Sequence, residues 1–404
     1  MKSFFIPIIF LTLLYSCTLE KSSKKLSTGS YRASLLIQDN KEIPFVFDVL
    51  NDQKINIYNA EEVIKVHEIS YENDSVKIKL PFFEGYITAK VSEENINGYF
   101  VKPSLDRVVP FVAKPNLPRF TNSTSPIKNV SGNWETVFSP NSEEDRYIAK
   151  GMFTQTNDQV TGTFRTTTGD YRYLEGIMDG DSLKLSTFDG AHAFLFNAKV
   201  TDTTMNGIFY SGNHWKEPFT ATLNNNYELP RAETLTSLKE GFNTIQFSFP
   251  DKTGNLISLN DDRFKNKVTI VQIMGTWCPN CLDESKFYAN YYDKNKSKDL
   301  EFVALAFEVA KTKEEGFQLI NRLVTQTGIN YPVLLAQYGS SSKIDAQKKL
   351  PMLNHVLSYP TSIFIDKKGK VRKIHTGFNG PATGEKYEEF KKEFDEFANK
   401  LLQE

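Results

Sequence analysis

Two of the three cysteines in this 404-residue chain lie three positions apart, in Cys278-Pro279-Asn280-Cys281. With two residues between them, both sulfurs come within disulfide reach when the second sits on the first turn of a helix. The run Val268-Thr269-Ile270-Val271-Gln272-Ile273-Met274 reads as a buried strand, and a helix should open near Cys278. There Cys278 would meet unpaired backbone N–H groups and the positive end of the helix dipole. Both favour thiolate over thiol and make Cys278 the nucleophile. A disulfide attacked by Cys278 becomes a mixed disulfide that Cys281 resolves. Two plainer readings compete. A zinc site needs four ligands, and the chain has no second cysteine pair. A purely structural bridge closing so short a loop would constrain the unfolded chain little. Glu284, three residues past Cys281, shares its helix face. It is either a surface charge beside Asp283 and Lys286 or a place for the Cys281 proton.

Such chemistry needs a rigid frame of strand, turn and helix, and residues 240–404 have the pattern for one. Phe302–Phe307 is a second buried strand, followed by a helix over Glu314–Thr325. A hairpin is expected at Thr244–Phe249 and Asn255–Leu259. Thr361–Ile365 and Lys370–His375 are strands joined at Asp366-Lys367-Lys368-Gly369. Tyr387, Phe390, Phe394, Phe397 and Leu401 recur at spacings of 3 and 4, which predicts a closing amphipathic helix. Strands alternating with helices make an α/β domain.

Gly275-Thr276-Trp277-Cys278-Pro279-Asn280-Cys281-Leu282-Asp283-Glu284 resembles the active site of thioredoxin-like proteins, specifically the TlpA/ResA-type exported disulfide reductases. The resemblance runs from about residue 240 to the C-terminus. It implies a thioredoxin-like fold and a thiol–disulfide oxidoreductase that needs no cofactor or metal. Its substrate would be a protein or small-molecule disulfide, and a membrane thiol–disulfide protein would donate its electrons. Tyr359-Pro360-Thr361 matches the loop that in this family holds a cis proline against the reactive disulfide. Pro360 would shape the substrate groove, with Tyr359 and Thr361 in it and Trp277 covering the site. Gln272 stands where thioredoxins themselves carry a buried acid, and a neutral amide cannot take the Cys281 proton. The exported reductases resemble this chain in placing a glutamate one turn after the second cysteine, here Glu284.

One departure bears on direction. The family often has proline directly before the second cysteine, whereas here Pro279 follows the first and Asn280 takes the other place. That dipeptide shapes the N–H groups facing the thiolate, and about 30 mV of potential corresponds to about 1.4 kcal/mol. Proline after the reactive cysteine is also seen in oxidising thioredoxin-fold proteins, so oxidase or isomerase chemistry stays open. Two rivals remain. A redoxin-type peroxidase would need a Thr-x-x-Cys setting, which Thr276-Trp277-Cys278 lacks. The alternative is a ligand-binding lipoprotein with an accessory redox domain.

Between about 29 and 225 the chain shows short alternating runs broken by Gly, Asn and Asp, such as Val76–Leu80 and Leu183–Ser186. The region repeats itself after roughly 105 residues. Gly29-Ser30-Tyr31 parallels Gly132-Asn133-Trp134, and Asp74-Ser75-Val76 parallels Asp181-Ser182-Leu183. Phe83-Glu84-Gly85 parallels Phe188-Asp189-Gly190, and Asn97-Gly98 parallels Asn206-Gly207. Two antiparallel all-β modules, barrels or halves of a sandwich, are expected at 29–118 and 127–228, with a Pro-rich link from Lys114 to Pro126. His67, His192 and His214 form no spaced ligand set. Asp179, Asp181 and Asp189 sit beside glycines, where aspartate serves turns. These modules read as a binding, docking or spacer element.

The third cysteine belongs to targeting. Lys2 and a short apolar run to Tyr15 are too short to cross a ~30 Å hydrocarbon core and read as a secretory signal over 1–16. Leu14-Tyr15-Ser16-Cys17 resembles a bacterial lipoprotein signal, which makes Cys17 the lipidated first residue and 17–28 a Lys- and Ser-rich tether. The protein is then a cell-envelope lipoprotein. A net charge of −1, from 48 Lys+Arg and 49 Asp+Glu, leaves no bulk basic field for nucleic acid. Replacing the anchor gives a direct check. Cys17→Ser should move the protein from membranes to the soluble fraction or leave an unprocessed precursor. A membrane pool untouched by the change would rule lipidation out.

Overall fold

The computed structural model describes residues 24–296 and 298–404. The expected signal peptide, Cys17 and the tether up to residue 23 lie outside the described residues. No helix among the described residues is long and apolar enough to cross a membrane.

The first repeat is a nine-stranded antiparallel meander. Its first strand, Gly29–Leu36, pairs on one side with Glu42–Asn51 and on the other with the last strand, Arg107–Pro115. Its order is therefore circular, with a seam between Glu62–Val66 and Glu68–Glu72, where no ladder is formed among the described residues. The second repeat uses the same plan and closes it. Gly132–Phe138 pairs with both Tyr147–Thr156 and Trp215–Leu223, and Tyr147–Thr156 pairs in turn with Gln159–Thr166. Eight strands form that ring, and the short strand Gly169–Asp170 hangs on its edge. The modules are thus barrels. The link between them is shorter than expected, because Lys114 and Pro115 still belong to the last strand of the first barrel.

The sequence repeat has a structural cause at its glycines. Gly98 faces Ala89 and Gly207 faces Ala198 on the preceding strand. A Cβ at Gly98 would stand 2.0 Å from the Thr88 carbonyl oxygen, and one at Gly207 would stand 2.6 Å from that of Asn197. Only glycine lets the strands approach so closely. The paired phenylalanines have a different task, since each leaves its own barrel. Phe188 stacks on Phe45 at 4.2 Å inside the first barrel's core, and Phe83 is buried in the core of the C-terminal domain. Buried Arg119, from the link, donates to the Pro44 and Tyr58 carbonyls and to Ser186 Oγ, and pairs with Glu175 at 3.2 Å. The barrels are thereby fastened side by side.

The C-terminal sheet has five strands in the order Val333–Gln337, Leu300–Phe307, Val268–Met274, Thr361–Ile365, Val371–Thr376. The first three are parallel, Thr361–Ile365 runs antiparallel to them, and Val371–Thr376 pairs antiparallel with that strand and so returns to their direction. Helix α1 (Pro279–Lys294) follows the central strand, and α2 (Lys313–Thr327) follows its parallel neighbour behind a Thr312–Glu315 capping box. Helix α3 spans Lys343–Lys349, and α4 (Glu385–Gln403) packs Phe390 and Phe394 against Phe287 of α1. This is a thioredoxin-like domain. Strand Val333–Gln337 and α3 carry no pattern strong enough to have been expected. The anticipated hairpin shrinks to Ser248–Pro250 with Leu256–Ser258, because Asp251 takes the N–H groups of Thr253 and Asn255 and so sets a tight turn.

Candidate active site

Every residue of the strand Val268–Met274 is buried, so the chain emerges from it with a fixed direction. It turns through Gly275, whose carbonyl accepts the Cys278 N–H at 3.1 Å. Cys278 has extended backbone angles and is the N-cap of α1, with Pro279 as the first helical residue. Its Sγ accepts the Cys281 N–H at 3.2 Å and lies 3.4 Å from the Tyr359 carbonyl oxygen. Cys278 is thus a side-chain helix cap, a position usually held by Ser, Thr or Asp. Cys278 retains 6 % exposure and Cys281 none. Burial, with the Cys278 sulfur alongside, pushes the Cys281 thiol well above the usual range. Both thiols are free.

Glu284 is fully buried on the next turn of α1. It is no surface charge. Gln272 Nε2 donates to its Oε2 at 2.8 Å, and Ser362 donates to Oε1 at 3.0 Å. The Tyr288 hydroxyl lies 3.1 Å from that same Oε1 and 2.7 Å from Ser362 Oγ. Burial outweighs these bonds and pushes the carboxyl up to about 7. Gln272, the amide in place of a buried acid, therefore works by holding an acid delivered from the helix. A second buried carboxyl, Glu308, was not singled out from sequence. It receives the Thr276 N–H at 2.9 Å and the Thr276 hydroxyl at 2.6 Å, bracing the turn before Cys278, and burial pushes it too up to about 7. Its signal was slight, a lone acid after the apolar strand Leu300–Phe307.

The loop before Thr361–Ile365 has a cis Tyr359–Pro360 bond, as the resemblance implies. Trp277 stands edge-on to Tyr359 with centroids 5.4 Å apart, and its indole N–H is tied to the Phe307 carbonyl at 2.9 Å. Trp277, Cys278, Tyr359 and Pro360 thus come together. Thr361 does not join them, because it is fully buried at the start of its strand and its hydroxyl is donated to the Ser358 carbonyl.

The barrels also reach this site, which sequence reasoning missed entirely. Asn280 Nδ2 donates to the Asp170 carbonyl of the second barrel at 3.1 Å, and Asp170 Oδ2 accepts the Gly380 N–H at 2.6 Å. Arg172 lies between Glu62 of the first barrel, Asp189 of its own barrel at 3.5 Å and Asp283 of α1 at 3.5 Å. Burial opposes its charge, but these carboxylates outweigh that and hold it protonated. Asp189, expected to serve a turn, accepts the Ala191 and His192 N–H groups and shares this cluster. No group of metal-ligating side chains occurs among the described residues.

Residues 239–390 match the Redoxin family. The chain is 30% identical over 141 residues to the thiol-disulfide oxidoreductase ResA of Bacillus subtilis, covering 35% of this chain and 69% of that protein. It is 24% identical over 129 residues to the sporulation thiol-disulfide oxidoreductase A of the same organism, covering 32% and 69%. Among solved structures it is similar to a thiol:disulfide interchange protein of the thioredoxin family from Chlorobium tepidum, at 21% identity and a TM-score of 0.30, covering 41% of this chain and 99% of that one.

The buried Glu284 carboxyl gives a stability signature. Between the ordinary glutamate value of 4.5 and about 7, the folded state holds a proton that the unfolded chain has released. Stability therefore falls as pH rises through that window, and the penalty is complete above it. Glu284→Gln removes this dependence. Relative to wild type, the variant should gain up to about 3 kcal/mol between pH 4.5 and pH 8, at about 1.4 kcal/mol per pKa unit. Urea unfolding of both reduced proteins at the two pH values measures it. A difference that does not change with pH would mean that Glu284 titrates as an ordinary surface carboxylate.

Proposed function

The chain belongs to the ResA-type family of thiol-disulfide oxidoreductases, and from that premise we propose that it reduces disulfides of exported proteins through Cys278 and Cys281, held at the cell envelope by lipid on Cys17. The observation that carries this reading is the Cys278 sulfur at the N-cap of α1, accepting the Cys281 N–H, with Cys281 sealed beneath it. One sulfur can be attacked with and the other is held in reserve. The Cys278 thiolate attacks one sulfur of the substrate disulfide, the S–S bond breaks, and the departing thiolate takes up a proton. Cys281 then loses its proton and attacks Cys278 Sγ. This frees the second substrate thiol and leaves a Cys278–Cys281 disulfide. Two electrons have passed to the substrate, and a membrane thiol–disulfide protein restores the dithiol. Pro360, which follows the Tyr359 carbonyl that Cys278 Sγ approaches, would line the path of the substrate backbone with Trp277 and Tyr359.

Glu284 is the proposed acceptor of the Cys281 proton. Burial raises the carboxyl to about 7, which makes it a stronger base than an ordinary carboxylate, while the Cys281 thiol, raised by the same burial, needs such a base to lose its proton.

Direction is tested by the potential of the Cys278–Cys281 couple. A value near about −270 mV is expected, and one near about −120 mV would make the protein an oxidant.

The proton acceptor is tested by the lifetime of the mixed disulfide in stopped flow. Resolution in wild type should quicken as pH rises through about 7, where Glu284 ionises. Glu284→Gln should lose that rise and be slower by roughly 10² above it. As a mere fixed negative charge the carboxylate would hinder the Cys281 thiolate, and its removal would speed resolution. A mixed disulfide that decays as fast or faster in the variant removes Glu284 from the mechanism.

A further inference from the structure

The space beside Cys278 is walled by more than the thioredoxin-like domain. Next to Asn280 and the cis-proline loop lies the edge hairpin of the second barrel. Its Asp170 carbonyl holds Asn280, and its Thr168 carbonyl accepts the Ser358 hydroxyl at 2.8 Å. Gly169 is so close that a Cβ there would stand 1.9 Å from Asn280 Nδ2. Trp277, which directly precedes Cys278, lines a pocket of about 210 Å³. The first barrel contributes Phe82, Phe83, Leu105 and Lys102 to that pocket, and Val309 and Leu319 add to its apolar lining.

We propose that this pocket is a side-chain subsite for the substrate, taking a large apolar side chain of an extended peptide whose neighbouring cysteine carries the disulfide that Cys278 attacks. The inference rests on disulfide exchange at Cys278 and names the substrate class for it. Size and chemistry both point to such an occupant. An apolar cavity of about 150 Å³ is enough for a benzene ring, so a phenylalanine or leucine side chain fits here. The indole of Trp277 is fixed by its bond to Phe307 and by Tyr359, so the pocket is held in register with the reactive sulfur. Lys102 spends one N–H on the Ala191 carbonyl at 3.1 Å, and an ammonium has further donors for peptide carbonyls. Glu84, also in the lining, is occupied by the Ser104 N–H and hydroxyl. A disulfide on a rigid globular surface fits poorly, because Cys278 keeps only 6 % exposure between two barrels. A small disulfide without side chains leaves the pocket empty.

The test uses the full chain with dithiothreitol as reductant and two disulfide-linked peptide dimers, blocked Phe-Cys-Phe and blocked Ala-Cys-Ala. Wild type should show a kcat/KM higher for the phenylalanine peptide by about tenfold or more. Leu105 is 42 % exposed on a turn between two strands, so a change there spares the core. Leu105→Arg, which brings charge into the lining, should bring the ratio close to one, while Leu105→Met should keep it. Equal kcat/KM for both peptides in wild type would overturn the subsite and leave disulfide exchange standing, as would a ratio untouched by Leu105→Arg. No turnover of either peptide would overturn the subsite and the proposed reduction together.

Discussion

Two sulfurs three residues apart have to occupy opposite environments, one presented at a helix end and one closed off from water. The N-terminus of α1 imposes this on Cys278 and Cys281. A strand buried along its whole length delivers the chain to the turn, so the first helical turn lies against the sheet and Cys281 has no route to solvent. A buried thiol is hard to ionise. The helix meets that difficulty one turn later with a carboxyl that is equally buried and also holds its proton up to about 7. Gln272, Ser362 and Tyr288 are the partners that let an acid stand in that interior. The same dry environment thus raises both the Cys281 thiol and the Glu284 carboxyl.

The barrels are bound to this centre by two different kinds of force. One is apolar and directionless. Phe83 leaves the first barrel for the core of the redox domain, and Phe188, at the matching place in the second repeat, leaves its barrel for the core of the first. Burial of this kind fixes proximity and leaves orientation loose. The other is electrostatic and specific. Arg172 meets acids from all three bodies, Glu62, Asp189 and Asp283, in a place where a lone charge would be strongly disfavoured. Such a cluster has one satisfactory geometry, so it sets the angle at which the barrels approach α1.

Legibility followed from how local each signal was. The Cys-x-x-Cys motif, the strand before it and the cis-proline loop each occupy a few consecutive residues, and periodicity placed α4 from Tyr387 to Leu401. The β repeat was visible because glycines such as Gly98 and Gly207 are demanded by close strand contacts, which leave a mark on the chain. Strand Val333–Gln337 was missed because four apolar residues followed by a glutamine carry no distinguishing period. Glu284 and Glu308 were harder, since a buried acid and an exposed one are spelled identically and only the partners tell them apart. The contacts of Asp170, Arg172 and Asn280 span more than a hundred positions and follow no spacing rule, so no linear pattern could have joined them.

That last group shows how a duplicated β barrel can alter the surroundings of an active site without touching its chemistry. The sulfurs, the proline loop and the buried acid are all contained in the C-terminal domain. The barrels add walls. The second barrel occupies the surface of the Cys-x-x-Cys dipeptide, which in an isolated domain would face water, and the first supplies half of the pocket beside Trp277. The rate of disulfide exchange depends on the thiols that take part and on access to the sulfur, and only access is something the barrels can alter. Access is then the strongest lever left for selectivity, and access is a property of the walls. Because Phe83 and Arg172 fix those walls to the redox domain, access to the sulfurs depends on the packing between bodies, at a distance from Cys278 and Cys281 themselves.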